Sequence, residues 1–265
     1  MTFWFLLAAV AVLILYMRLE AGWLKVEHIA VSNRIGMKLA VISDLHPAFC
    51  RISPDAAKGV MEREKPDLFL FLGDALDRPD HVVKAAAWLG HCARGIPSFA
   101  VSGNHDSRFF AKNAGSREAF TLALFKEGIR LVSDGQFIFV KGNQRLKLTA
   151  LDDLPRTRAS IRMPDEASAG PFAFHLVFTH NPQRITELPE GCADFAVAGH
   201  FHGGQIWMPF GLEFRLFRKE PLGRTGIRRG LHLVNGIPLY LTRGIGNVVF
   251  PLRLGARPEI TFIDL

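Results

Sequence analysis

Five times after residue 36 the chain runs through about five consecutive apolar residues and then turns at once to Asp, Asn or His. LAVIS precedes Asp44-Leu45-His46, LFLFL precedes Gly73-Asp74, and SFAVS precedes Gly103-Asn104-His105-Asp106. HLVFT precedes His180-Asn181-Pro182, and DFAVA precedes Gly199-His200-Phe201-His202. Unbroken apolar runs of this length suit strands covered on both faces. Helix signals separate several of them. Ser53 and Pro54 supply an N-cap and first helical residue, with Pro66 as the stop. Asp80 opens a second segment ending near Gly90, Ser116 a third ending near Gly128, and Asn181 with Pro182 a fourth. Strand and helix in alternation predict an α/β fold, parallel in its first half, with functional groups gathered at the carboxyl ends of the strands.

GIRLVSD, QFIFVKG, QRLKLTALD, IPLYLTRG and ITFIDL read as shorter strands separated by turns, which predicts a second sheet of antiparallel character. Two sheets flanked by helices in one domain over residues 37–265 is the expected architecture. The longest loop is expected over residues 152–170.

Asp44, His46, Asp74, Asn104, His180, His200 and His202 offer oxygen and nitrogen donors without a thiolate, a set that suits Mn, Zn, Fe or Co. Seven ligands exceed what one catalytic ion with an open position takes, and fit two ions sharing a carboxylate. The three cysteines, Cys50, Cys92 and Cys192, are scattered and form neither a disulfide framework nor a zinc motif.

Residues 1–17 carry no charged side chain, a run at the short limit of a bilayer span. No small-x-small cleavage pattern follows it, so residues 1–18 are read as an uncleaved membrane anchor. Arg18 and Lys25 follow the run and nothing basic precedes it, which predicts a cytoplasmic domain. Nine Lys and Arg against four Asp and Glu follow residue 200, so most of the net charge of +7 lies in the last quarter. Such a tail can meet nucleic acid, anionic lipid or a phosphorylated substrate.

The set Asp44-x-His46, Gly73-Asp74-x-x-Asp77, Gly103-Asn104-His105-Asp106, His180 and Gly199-His200-x-His202 resembles the signature of the calcineurin-like metallophosphoesterases. His202-Gly203-Gly204-Gln205 and GARPEI resemble the bacterial YkuE/YaeI-type branch, to which a chlamydial-type UDP-2,3-diacylglucosamine hydrolase is similar. The resemblance implies an αββα sandwich and two divalent ions, manganese first among the candidates. One ion would take Asp44, His46, Asp74 and His202. The other would take Asp74, Asn104, His180 and His200. His105 would protonate the leaving oxygen with Asp77 orienting its ring, and Asp106 would brace the Asn104 turn.

IWMPFGLEFRLFRK, residues 206–219, follows the last motif directly. It is expected to be either a strand and turn packed into the core or a flap that touches substrate and membrane through Trp207, Phe210, Phe214, Arg215, Phe217, Arg218 and Lys219. The expected substrate is a lipid-linked phosphodiester or diphosphate such as UDP-2,3-diacylglucosamine, met at an anionic membrane surface. The alternatives are a tethered phosphodiesterase for soluble nucleotides, a nuclease, and a non-catalytic metal-binding scaffold. A nuclease is disfavoured by the lack of an aromatic stacking series, and a scaffold by the intact His105–Asp77 pair. No protein partner is implied.

Overall fold

The computed structural model describes residues 2–32, 34–153, 171–217 and 220–265. Two six-stranded sheets lie face to face. The first has the order β1 (Lys25–Ala30), β12 (Glu259–Asp264), β2 (Lys38–Ile42), β3 (Leu68–Phe71), β4 (Ser98–Ala100), β5 (Ile129–Leu131). The second runs β10 (Gly230–Val234), β11 (Ile237–Leu241), β9 (Phe195–Ala198), β8 (Phe174–Thr179), β7 (Gln144–Leu151), β6 (Gly135–Lys141).

Strand alternation divides the core. Leu39, Val41, Leu68, Leu70, Leu148, Leu176, Phe178 and Val197 meet between the sheets. Ala40, Ile42, Phe69 and Phe71 turn outward on the first sheet and pack on the helices α2 (Pro54–Glu64), α3 (His81–Cys92) and α5 (Ser116–Lys126). Val177, Ala196, Ala198 and Leu239 turn outward on the second, against Ile185, Leu188, Phe201 and Phe214. Both faces of each sheet are covered, so continuous apolar runs are what these strands need. The result is the two-sheet sandwich expected from the sequence.

Ser53 caps α2 by accepting from Ala56 N at 3.1 Å, and Asn181 caps a short 3-10 helix, Pro182–Glu187, by accepting from Gln183 N at 3.0 Å. Helix α3 runs two residues past Gly90. Helix α4 (Asn104–Lys112) was not expected; it begins on Asn104, one of the predicted ligands.

Three expectations change. The second sheet is antiparallel only at its edges, β6 with β7 and β10 with β11; β7, β8, β9 and β11 pair in parallel. The sheet begins before residue 37, because β1 pairs in parallel with β12. The end of helix α1 (Thr2–Glu20) also belongs to the fold: Met17 and Glu20 are buried, Arg253 N donates to Met17 O at 3.0 Å, and Ala256 N donates to Glu20 Oε1 at 3.0 Å. The rest of α1 is exposed, and the helix as a whole is long and apolar enough to cross a membrane. The core of the expected 152–170 loop, residues 154–170, falls outside the described residues.

Candidate metal centre

Every strand that supplies a ligand stops at the same edge of the sandwich, and the chain bends sharply just beyond it. Asp44, His46, Asp74, His200 and His202 all hold φ between 40° and 74°. This left-handed region costs a side-chain-bearing residue about 1–3 kcal/mol, and such residues concentrate where a site requires them. The bends work only because glycine stands opposite. A Cβ on Gly103 would lie 2.1 Å from Asp74 Oδ1, and one on Gly199 would lie 2.5 Å from Ser43 Oγ.

The seven predicted donors form one cluster, buried except for the half-buried Asn104. His46 Nε2 lies 3.7 Å and His180 Nε2 3.2 Å from Asp74 Oδ2. His180 Nε2 also lies 3.1 Å from Asn104 Oδ1 and 3.1 Å from His200 Nδ1. On the other side His202 Nε2 lies 3.3 Å from Asp44 Oδ1. Donor atoms of Asp44, His46 and His202 fall within 4.8 Å of one another, as do those of Asp74, His180 and His200. His200 and His202 thus face separate halves of the cluster, while the Phe201 ring between them turns into the core.

Buried nitrogen and oxygen donors this close repel one another or share protons. Burial alone would raise the Asp74 carboxyl, but the imidazoles of His180 and His46 outweigh it and hold it well below the usual carboxylate range. Asp44 is lowered in the same way, burial being outweighed chiefly by His202 and His180. Burial would lower His180, yet the negative charge of Asp74 raises it to about 10. Asp44 Oδ1 and His46 Nε2 are buried without a hydrogen-bond partner. A divalent cation at each half fits this donor set and relieves both features.

A third grouping, His46, Asp74 and His105, has the same spacing, but His105 differs from the others. It is partly exposed at 29 %, and its Nδ1 lies 2.6 Å from Asp77 Oδ1. The other Asp77 oxygen lies 3.1 Å from His46 Nδ1. Although burial would raise Asp77, these two contacts hold its carboxyl below the usual range, so it fixes both rings as an anion. Asp106 does more than brace one turn. It accepts from Gly103 N, Asp74 N, Ala75 N and Leu76 N at 2.8–2.9 Å, tying two ligand loops together. Burial and the nearby Asp74 charge raise it to about 6.

Several residues that shape the site escaped sequence reading. Glu220 Oε1 lies 2.9 Å from His200 Nε2, on the far side of the ring from the cluster. Gly244-Ile245-Gly246-Asn247 follows β11 as another strand end with polar and glycine residues, a signal that could have exposed it. Its Gly246 N donates to Asp44 O at 2.8 Å and Ile245 N to Ser43 O at 2.9 Å. Arg253 stands fully buried beneath this loop. It donates to Asn247 Oδ1 at 3.0 Å and to the carbonyls of Arg243, Gly244, Gly246 and Ala256.

The cluster opens into a cavity of about 640 Å³. Asp74, Asn104, His105, His200 and His202 line it together with an apolar wall of Ile206, Met208, Val248, Val249 and Phe250 and the charged Arg108, Glu213 and Glu220. Residues 206–217 form no strand beyond an isolated parallel bridge of Ile206 to Leu254, and short helical turns cover Pro209–Gly211 and Leu212–Phe217. Trp207, Phe210 and Arg215 are exposed. Phe214 corrects the flap expectation, being 1 % exposed with its ring edge-on to Phe201 at 5.5 Å, a core residue and no membrane contact. Arg218, Lys219 and the Phe217 side chain lie outside the described residues.

Comparison with known proteins agrees with this geometry. The sequence model of the family described as calcineurin-like phosphoesterase matches residues 37–204. The chain is 28 % identical to the uncharacterized metallophosphoesterase YkoQ of Bacillus subtilis, over 90 % of this chain and 89 % of that protein. It is 27 % identical to the phosphodiesterase YaeI of Escherichia coli, over 93 % of this chain and 90 % of that protein. A transmembrane protein with metallophosphoesterase domain from Danio rerio is 24 % identical over 87 % of this chain and 53 % of its own length.

Proposed function

The chain belongs to the calcineurin-like phosphoesterase family, hydrolases acting on phosphoester bonds, and from that premise we propose that its substrate is a lipid-linked phosphodiester or diphosphate held over two divalent ions. The observation that carries this reading is one cavity lined both by the metal-ligand cluster and by an apolar wall. UDP-2,3-diacylglucosamine is the leading candidate, from the resemblance to its hydrolases, and manganese the leading ion.

In this reading Asp44, His46, Asp74 and His202 hold one ion, and Asp74, Asn104, His180 and His200 the other. The ions supply Lewis-acid charge at the phosphoryl group and lower the pKa of water. The chain's own residues do the rest. Glu220 accepts from His200 Nε2 and so presents Nδ1 to the cluster. Asp77 accepts the Nδ1 proton of His105, which leaves Nε2 to deliver a proton to the departing oxygen. The apolar wall receives the acyl part of the substrate and keeps water from the reacting centre.

The same reading has α1 anchored in a cell membrane with the domain on the cytoplasmic side, supported by its apolar length and by Arg18 and Lys25 after it. The test is product analysis of the full-length, manganese-loaded protein against UDP-2,3-diacylglucosamine, lipid phosphodiesters, nucleotides and DNA. Turnover of the lipid-linked compounds is expected. Turnover confined to nucleotides or DNA would replace the lipid reading with one of a tethered nucleotide phosphodiesterase or a nuclease.

A further inference from the structure

Two loops frame the apolar wall of the cavity. The first carries Trp207, 51 % exposed, and Phe210, 84 % exposed; the second carries Val249 at 61 % and Phe250 at 60 %. The Gln205 side chain staples them together. Its Nε2 donates to Val248 O at 2.9 Å and Phe250 O at 3.2 Å, and its Oε1 accepts from Val248 N at 2.8 Å. Both tips are held in left-handed backbone, Phe210 at φ 58° and Val249 at φ 64°. For a bulky and a β-branched residue that conformation is unfavourable. Within the fold it is not offset by burial, since both side chains point apolar surface into solvent.

The same two loops meet the base of helix α1. Trp207 N donates to Leu254 O and Leu254 N to Gln205 O, each at 2.9 Å. The neighbouring Arg253 and Ala256 bind Met17 and Glu20 through their backbone N–H groups. Arg257 completes the joint, its guanidinium 4.3 Å from the Trp23 ring centre and its Nε donating to Trp23 O at 3.0 Å. The place where the apolar helix leaves the domain and the rim of the cavity are therefore built on one stretch of chain, residues 253–257.

We infer that Trp207, Phe210, Val249 and Phe250 enter the bilayer interface beside the base of α1, so that the cavity opens onto the membrane and takes its phosphoester directly from the lipid layer. A bilayer fits this rim because it offers apolar volume without a shaped partner, and because α1 would already hold the domain against it. The backbone strain at the two tips is then balanced by burial in lipid instead of protein. The inference rests on the lipid-linked substrate proposed above, and the two can fail separately.

The full-length, manganese-loaded protein is reconstituted in vesicles of phosphatidylethanolamine and phosphatidylglycerol with a nitroxide at Phe210→Cys, Val249→Cys or Phe125→Cys. Phe125 is exposed on α5 over the outer face of the first sheet and supplies the aqueous reference. The signal of the labelled parent is subtracted. Labels at 210 and 249 are expected about 5–10 Å below the headgroups, protected from a water-soluble nickel chelate that reaches 125 freely. The Phe210→Ser variant, which changes no residue lining the cavity, should raise KM for a vesicle-borne phosphodiester on the order of tenfold with kcat retained. Chelate access equal at all three labels overturns the inference even when lipid phosphodiesters are hydrolysed. Protected labels with no hydrolysis of any lipid phosphoester uphold the membrane face and overturn the proposed substrate instead.

Discussion

At the scale of single residues the site separates proton transfer from metal holding. His105 is the partly exposed imidazole of the cluster, braced by Asp77 and facing the cavity. His105→Ala should keep both ions by metal analysis and lose roughly 10²–10⁴-fold in kcat, and a better leaving group should recover much of the loss. Unchanged turnover with a poor leaving group would remove His105 from the reaction. The pKa shifts give a second prediction. In the metal-free fold His180 keeps its proton up to about 10 because Asp74 faces it, and His46 is raised because Asp77 and Asp74 outweigh burial. Raised histidines stabilise fully below their unfolded pKa of 6.5 and lose that contribution as pH rises through the folded value. Melting of the chelator-treated protein should therefore fall between pH 7 and pH 10. Metal competes with those protons, so loading should release protons and its apparent affinity should rise with pH. A flat chelator-treated profile, or loading without proton release in a pH-stat, would contradict this. The seven donors were legible because each follows its apolar run directly. Glu220 was not, since nothing local marks a carboxylate that reaches back to His200.

At the scale of elements, the ligand loops are supported by other loops. Arg253 illustrates this: as part of a basic tail it read as a surface charge, yet its donors satisfy the backbone that backs Asp44. Burial lowers it to about 10 against the pull of Asp44 and Glu259. Arg253→Gln would leave several buried carbonyls unpaired at about 1–3 kcal/mol each. A fall in Tm of about 6–12 °C is expected, together with weaker metal retention, and Arg253→Lys should not rescue it because one ammonium cannot replace the planar fork. A melting temperature within error of the parent would show that the loop supports itself. Two other basic residues of the tail are similarly occupied: Arg243 pairs with Glu259, and Arg228 lies 4.7 Å over the Phe214 ring. Helix α4 escaped notice because its opening Asn-His-Asp reads as a turn. Its start is decided by Asp106 accepting from Gly103 N, a contact set by the ligands rather than by helix propensity.

At the scale of the whole molecule, helix α1 and the domain are continuous. Removing residues 2–15 should leave Tm unchanged. Removing residues 2–21 also deletes Met17 and Glu20 with their bonds to Arg253 and Ala256. That cut should cost about 2–3 kcal/mol, or roughly 5–10 °C in Tm. Equal melting of the two truncations would return α1 to the role of a simple tether. By itself the sequence placed β5 and β12 in the wrong sheet and missed β1, but it determined five apolar strands, the donors at their ends, the chemistry those donors permit and the apolar character of the N-terminal run. All of these are local, written in runs of a few residues whose burial or coordination needs are fixed by side-chain type. Only the tertiary structure decided that the second sheet is parallel at its centre, that Phe214 is core while Phe210 is surface, and that residues 253–257 join the helix base to the cavity rim. Strand direction, the side a ring faces and the meeting of distant loops depend on which surfaces remain uncovered once everything else has packed, and no short stretch of sequence carries that information.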